Sequence, residues 1–179
     1  MSRPHTAPPH HVSPDLFRQA MASVATPVSV VTTLERGRPH GTTVSAFASL
    51  SMDPPMVLIA LDEHSHLLAV TRRTGRLALN VLSAGQDALA TAFARKGTDK
   101  FAGVDWREEA GLPRLSGAGI WLACGVEAFL PGGDHFVVAA TVTDGHVDEA
   151  AAPLTYHRRR FGTHTPGDAS PEHVRPAVS

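Results

Sequence analysis

The apolar residues of this chain come in short runs, and that limits what it can build. The longest branched run, Met56 to Leu61, spans six residues. A bilayer crossing needs about 20 apolar residues, so this run reads as a buried strand instead. Val28 to Leu34 is β-branched and reads as another strand, closed by the turn Glu35-Arg36-Gly37-Arg38. His40 to Met52 is a further extended region, ended by Asp53-Pro54-Pro55. Strands that follow one another across short turns form antiparallel meanders rather than crossover units.

Helical signals fall between the strands. Ser13-Pro14-Asp15 combines a capping serine, a proline at the first helical position and an acid at the positive end of the dipole. Leu16, Phe17, Ala20, Met21 and Val24 follow at helical spacing, and Pro27 is the expected stop. Ser65 to Thr74 predicts a second helix ended by Gly75, and Gln86 to Ala94 a third. Arg76 to Leu82 reads as a strand, and Arg95 to Trp106 as polar and irregular. Ile120 to Leu130 and Phe136 to Thr143 read as strands around Pro131-Gly132-Gly133-Asp134, with a last short strand near Leu154 to Tyr156. Six or so strands with a few peripheral helices predict a mainly β protein, a small antiparallel barrel.

Both ends are rich in Pro, Ser, His and Thr. They predict disordered tails over 1–12 and 163–179 and one domain over 13–162. Met1 to His11 lacks the apolar core of a signal peptide. The single cysteine, Cys124, allows no intrachain disulfide and no paired metal knuckle, which fits a reducing cytoplasm. A formal charge of −1 gives no global attraction to nucleic acid or membrane. No P-loop, G-x-S-x-G elbow or H-E-x-x-H is present. Gly117-Ala118-Gly119 starts a dinucleotide fingerprint, but Leu122 holds its third glycine place. Several histidines lie in the tails, and no metal site is expected.

The segment Gly41 to Pro55, GTTVSAFASLSMDPP, concentrates small hydroxyl side chains in one extended stretch. Small side chains let a planar ligand approach the backbone, and hydroxyls can bond its polar edge. A polar edge strand would look the same. The segment resembles the signature of the flavin reductase-like family, the FMN-binding split barrels of two-component monooxygenase systems. The likeness continues in order through MASVATPVSVVTT (21–33), VLIALDEHS (57–65), LATAFARKGTDKF (89–101), Gly133-Asp134-His135 and Pro153-Leu154-Thr155-Tyr156. Pro27 and Ala140 stand where many relatives carry glycine, and Arg159 falls where they often place one.

That resemblance implies a six-stranded antiparallel split β-barrel of Greek-key type. It implies hydride transfer from NADH or NADPH to FMN or FAD, reduced flavin for a partner monooxygenase, and a homodimer. Thr43, Val44, Ser45, Ala46 and Ser49 would line the flavin ring with their backbone N–H groups, with Ser45 near its reactive edge. Leu61, Asp62 and Ser65 would hold the opposite side and the phosphate-bearing tail. Arg95 and Lys96 would meet a phosphate, and Lys100 and Phe101 would close over the ligand. His135 would bond the nicotinamide or supply a proton. The competing readings are a non-catalytic carrier of flavin or haem and a pyridoxamine-phosphate-type oxidase on the same fold.

Overall fold

The computed structural model describes residues 11–97 and 99–167. Most of the two predicted tails lies outside the described residues, and Thr163 ends a strand. Helix α1 (Pro14–Ala22) begins as its sequence predicts, with the Ser13 hydroxyl accepting from the Leu16 N–H at 3.2 Å. It stops well before Pro27. The Ser23 hydroxyl donates to the Gln19 carbonyl at 3.0 Å, and the chain then extends into strand β1 (Thr26–Pro27). Pro27 sits on the outer strand of a small sheet, opposite Thr155, where its missing N–H costs no ladder bond.

The main sheet has seven strands in the order β3-β2-β6-β9-β10-β5-β4, antiparallel throughout. These are β2 (Ser29–Glu35), β3 (Arg38–Val44), β4 (Phe47–Met52), β5 (Pro55–Asp62), β6 (Arg76–Val81), β9 (Ile120–Gly132) and β10 (His135–Val147). Strands β3 and β4 lie at opposite edges of the sheet, yet only Ser45 and Ala46 separate them in sequence. The sheet must therefore curl until its edges approach each other at those two residues, which gives a barrel open along a seam. The count departs from the six strands expected. The extended region His40 to Met52 breaks at the bend, so that its first half pairs with β2 and its second half with β5.

Residues on β2 show how the core is divided, because successive side chains face opposite sides of a strand. Val31 joins Val44, Ile59, Leu61, Leu79 and Val138 inside the barrel, with Leu67 and Leu68 of α2 (His66–Thr74) packed among them. Val30 faces outward onto Leu82, Ala90, Phe93 and Leu115, a second cluster covered by α3 (Asp87–Ala94). Gly41 lies beneath that helix. A Cβ there would stand 2.7 Å from the buried Phe93 ring, so the close packing of α3 on β3 requires glycine.

Two short pairings had no signal in the expected pattern. Strands β7 (Trp106–Glu109) and β8 (Leu112–Leu115) form a hairpin beginning where the irregular region was expected to end. Strand β12 (Arg160–Thr163) pairs with β11 (Leu154–His157), which in turn pairs with β1.

Candidate functional site

Two clefts open at the seam and share Thr42 and Ser65 on their walls. The smaller, about 240 Å³, lies at the bend itself between Thr42–Ala46 and the end of β5, Ala60–Asp62. The larger, about 740 Å³, runs on past the β2–β3 turn and the N-terminus of α2 to Lys100 and Phe101.

The bend supplies the smaller cleft with open backbone. The Ala46 carbonyl accepts from the Ala60 N–H at 2.9 Å and so pins the bend to β5. The N–H groups of Ser45 and Ala46 donate to no protein group among the described residues. Val44 and Leu61 turn their side chains into the barrel core and offer the cleft only their backbones. Thr43 also lends its hydroxyl to the fold, donating to the Ala90 carbonyl at 2.6 Å and tying α3 to β3. Ser45 and Ala46 are exposed, and their small side chains leave the mouth open.

Across the cleft stands the tip of the β9–β10 hairpin. His135 pairs with Asp62 of β5 in the ladder, and the Glu63 N–H donates to the Asp134 carbonyl at 3.0 Å. These bonds fix His135 at the cleft wall. The Asp134 carboxylate lies 2.7 Å from His135 Nδ1, and this hydrogen bond holds the Asp134 carboxyl below its usual range. Asp62 shapes the next turn, its carboxylate accepting from the His64 N–H at 2.7 Å. Ser65 caps α2 by position, yet its hydroxyl makes no cap bond and lies on the wall common to both clefts.

Thr43, Val44, Ser45, Ala46, Leu61, Asp62, Ser65 and His135 therefore meet in one cleft. Phe101 lines the larger cleft, edge-on to Phe93 at 4.9 Å. Three expected residues lie elsewhere. Ser49 is exposed on β4 opposite Val57, three residues past the bend, and borders neither cleft. Arg95 and Lys96 are exposed just after α3 and line neither cleft. The cation that this loop does bring to the larger cleft is Lys100. Its ammonium donates to the Phe93 carbonyl at 2.8 Å, and burial lowers its pKa. Arg36, Arg38, His40 and His66 were not expected there. Arg38 and His40 alternate along β3 just before the motif, so period two alone places them on one face.

A family model described as flavin reductase like domain matches residues 21–165. The chain belongs to the flavin reductase-like family. The actinorhodin polyketide dimerase of Streptomyces coelicolor is 40% identical over 148 residues, covering 82% of this chain and 84% of that protein. The reductase component of a 4-nitrophenol 4-monooxygenase/4-nitrocatechol 2-monooxygenase from Rhodococcus opacus is 37% identical, covering 84% of this chain and 80% of its own length. Among solved structures, an NADH:FAD oxidoreductase of Streptomyces globisporus in complex with NAD and FAD fragments superposes with a TM-score of 0.83 at 29% identity. That match spans 90% of this chain and all of the other. This family member is an enzyme, a flavin reductase, and the reading as a mere carrier of flavin or haem gives way to it.

The reductase has a mainly β fold with few helices, and none of its described helices is long and apolar enough to cross a membrane. Its Cys124 is buried in the barrel, and burial pushes the thiol up to about 12, far from a reactive thiolate.

Proposed function

We propose that the reductase passes a hydride from NADH or NADPH to FMN or FAD, with the flavin ring held in the smaller cleft at the seam. The observation that carries this reading is the bend at Ser45–Ala46, which lines the cleft and whose two backbone N–H groups donate to no protein group among the described residues. A flat ring fits such a slot, because Ser45, Ala46 and Ala60 present only small side chains. Bound flavin supplies the two-electron acceptor and the reduced nicotinamide supplies the hydride. The chain's part is orientation and electrostatics. The Ser45 and Ala46 N–H groups donate to the ring edge that gains negative charge, and they are fixed before reaction by the Ala46–Ala60 bond. Asp134 orients His135 through Nδ1, which leaves Nε2 to bond the incoming nicotinamide or to hold a proton for the reduced product.

Ser65 and the backbone of Leu61 and Asp62 support the side of the ring toward the flavin tail. Arg95 and Lys96 act on the part of a ligand beyond the clefts. Reduced flavin leaves to serve a partner monooxygenase, as the description of the Rhodococcus relative as a reductase component suggests. The working unit is residues 13–162 as a homodimer. Helix α1 supports the second part, since none of its residues is buried although its apolar positions lie on one side.

The test is NAD(P)H consumption by the purified protein with FMN and FAD added in turn. Oxidation that scales with added flavin is expected. Flavin binding with no NADH or NADPH oxidation would overturn the enzymatic reading.

A further inference from the structure

His40 and His66 come from different parts of the fold, β3 and the first turn of α2, yet both line the larger cleft. Their ring centres stand 5.1 Å apart, with the planes tilted by 56°. Neither ring makes a hydrogen bond or an ion pair among the described residues, in contrast to His135, whose Nδ1 is taken by Asp134. His40 is half-buried, so its nitrogens are the costlier ones to leave without a partner. Offset stacking would hold the two planes near parallel, and a tilt of 56° is not of that kind.

The separation matches a different arrangement. In a tetrahedral zinc site each imidazole nitrogen lies about 2.0–2.1 Å from the ion, which puts each ring centre roughly 3.2 Å from it. Two rings that meet the ion at the tetrahedral angle then have centres roughly 5.2 Å apart. We infer that His40 and His66 form a two-histidine site for a divalent transition-metal ion such as zinc, on the wall of the larger cleft. Imidazole suits zinc, copper and nickel, whereas magnesium and calcium take oxygen ligands that this pair does not offer. No third His, Cys, Asp or Glu joins the pair among the described residues, so two positions of the tetrahedron stay open to water or an anion. Arg36 and Arg38 on the same wall favour an anion there, which offsets their repulsion of the ion. Lys100 is tied to the Phe93 carbonyl at 2.8 Å, and Glu35, bound to Arg73, adds negative charge on the His40 side. No spacing motif joins the two histidines in sequence, because a strand and a helix bring them together. The site goes beyond the reductase reading, and each stands without the other.

The experiment titrates the full chain with zinc chloride by calorimetry at neutral pH, for the parent, His40→Gln, His66→Gln and the double variant. A saturable zinc site is expected in the parent, and magnesium chloride should not compete for it. Each single variant should weaken that site by at least about a hundredfold, since the loss of even an outer partner of a metal ligand costs up to that much. The double variant should bind no more weakly than either single one, because a two-armed grip is already broken when one arm is gone. Two side chains with merely structural roles would instead give losses that add. His66 is exposed at a helix start, so His66→Gln should keep the circular dichroism of the parent and decides the matter if the half-buried His40 does not tolerate change. The chain holds 11 histidines, and the variants tell this pair from the rest. No zinc binding by the parent, or a site of unchanged affinity in folded His66→Gln, would overturn the inference.

Discussion

His135 is the residue on which the proposed chemistry turns, and its setting separates two kinds of effect. Its backbone belongs to the ladder with Asp62, while its ring is held by Asp134 at 2.7 Å and by no other hydrogen bond among the described residues. His135→Ala should therefore leave stability nearly unchanged and lower kcat/KM for NADH by roughly a hundredfold, the usual range for a general acid or positioned imidazole. Parent-like kinetics in that variant would remove His135 from the mechanism. A residue far from the clefts makes a second point. Arg158 and Arg159 form the two-residue turn between β11 and β12, with φ of 46° and 63°. A non-glycine residue in that left-handed region costs about 1 kcal/mol. Arg159→Gly should therefore raise the unfolding free energy by about 1 kcal/mol in urea titration. An unchanged or lowered midpoint would contradict that account. At this scale the motif residues could be grouped from sequence because they are local: Ser45 and Ala46 are neighbours in one bend, and His135 sits in its own turn. Arg95 and Lys96 could not be placed, since a cation's reach depends on how its loop folds back, and here the loop returns Lys100 to the cleft instead.

Among elements, the helices and long strands follow from periodicity and caps, whereas the hairpin β7–β8 does not. Its strands, WREE and LPRL, carry no alternation that would mark them. What holds the hairpin is a tertiary contact, the buried amide of Asn80 on β6. Its Nδ2 donates to the Val30 carbonyl at 3.2 Å and the Thr32 hydroxyl at 3.1 Å, and its Oδ1 accepts from the Leu115 N–H at 2.8 Å. The Thr32 hydroxyl in turn donates to the Pro113 carbonyl at 2.8 Å. No local pattern in residues 106–115 announces that partner, which lies 35 residues from Leu115 in the chain. Asn80→Ala should leave these groups buried without partners and cost about 3 kcal/mol. Hydrogen exchange should show the loss concentrated in β8. A cost below about 1 kcal/mol, or an even loss across the barrel, would mean that packing of Leu112 and Leu115 holds the hairpin instead.

For the whole molecule, the same curl that hides the core creates the site. A sheet edge exposes unpaired backbone groups and usually has to be protected. Here two edges are brought together by one bent segment, and the bend, with its backbone N–H groups left over, lines a cleft. The sequence shows the segment as one extended run, and the break becomes visible only once its halves pair with β2 and β5. A second unpartnered surface remains on α1. Leu16, Phe17 and Met21 are 56, 58 and 49% exposed, although their spacing is that of a helix made to bury one side. Apolar residues grouped on an exposed helix mark a contact surface more often than a free one, and a second copy of this chain is the occupant proposed above. Sedimentation should then find the parent as a dimer at micromolar concentration. Phe17→Glu/Met21→Glu places two charges on that face without disturbing the barrel, so it should sediment as a monomer with its thermal unfolding otherwise intact. A monomeric parent would leave α1 without its proposed cover, and a dimer that survives both charges would place the interface on another face.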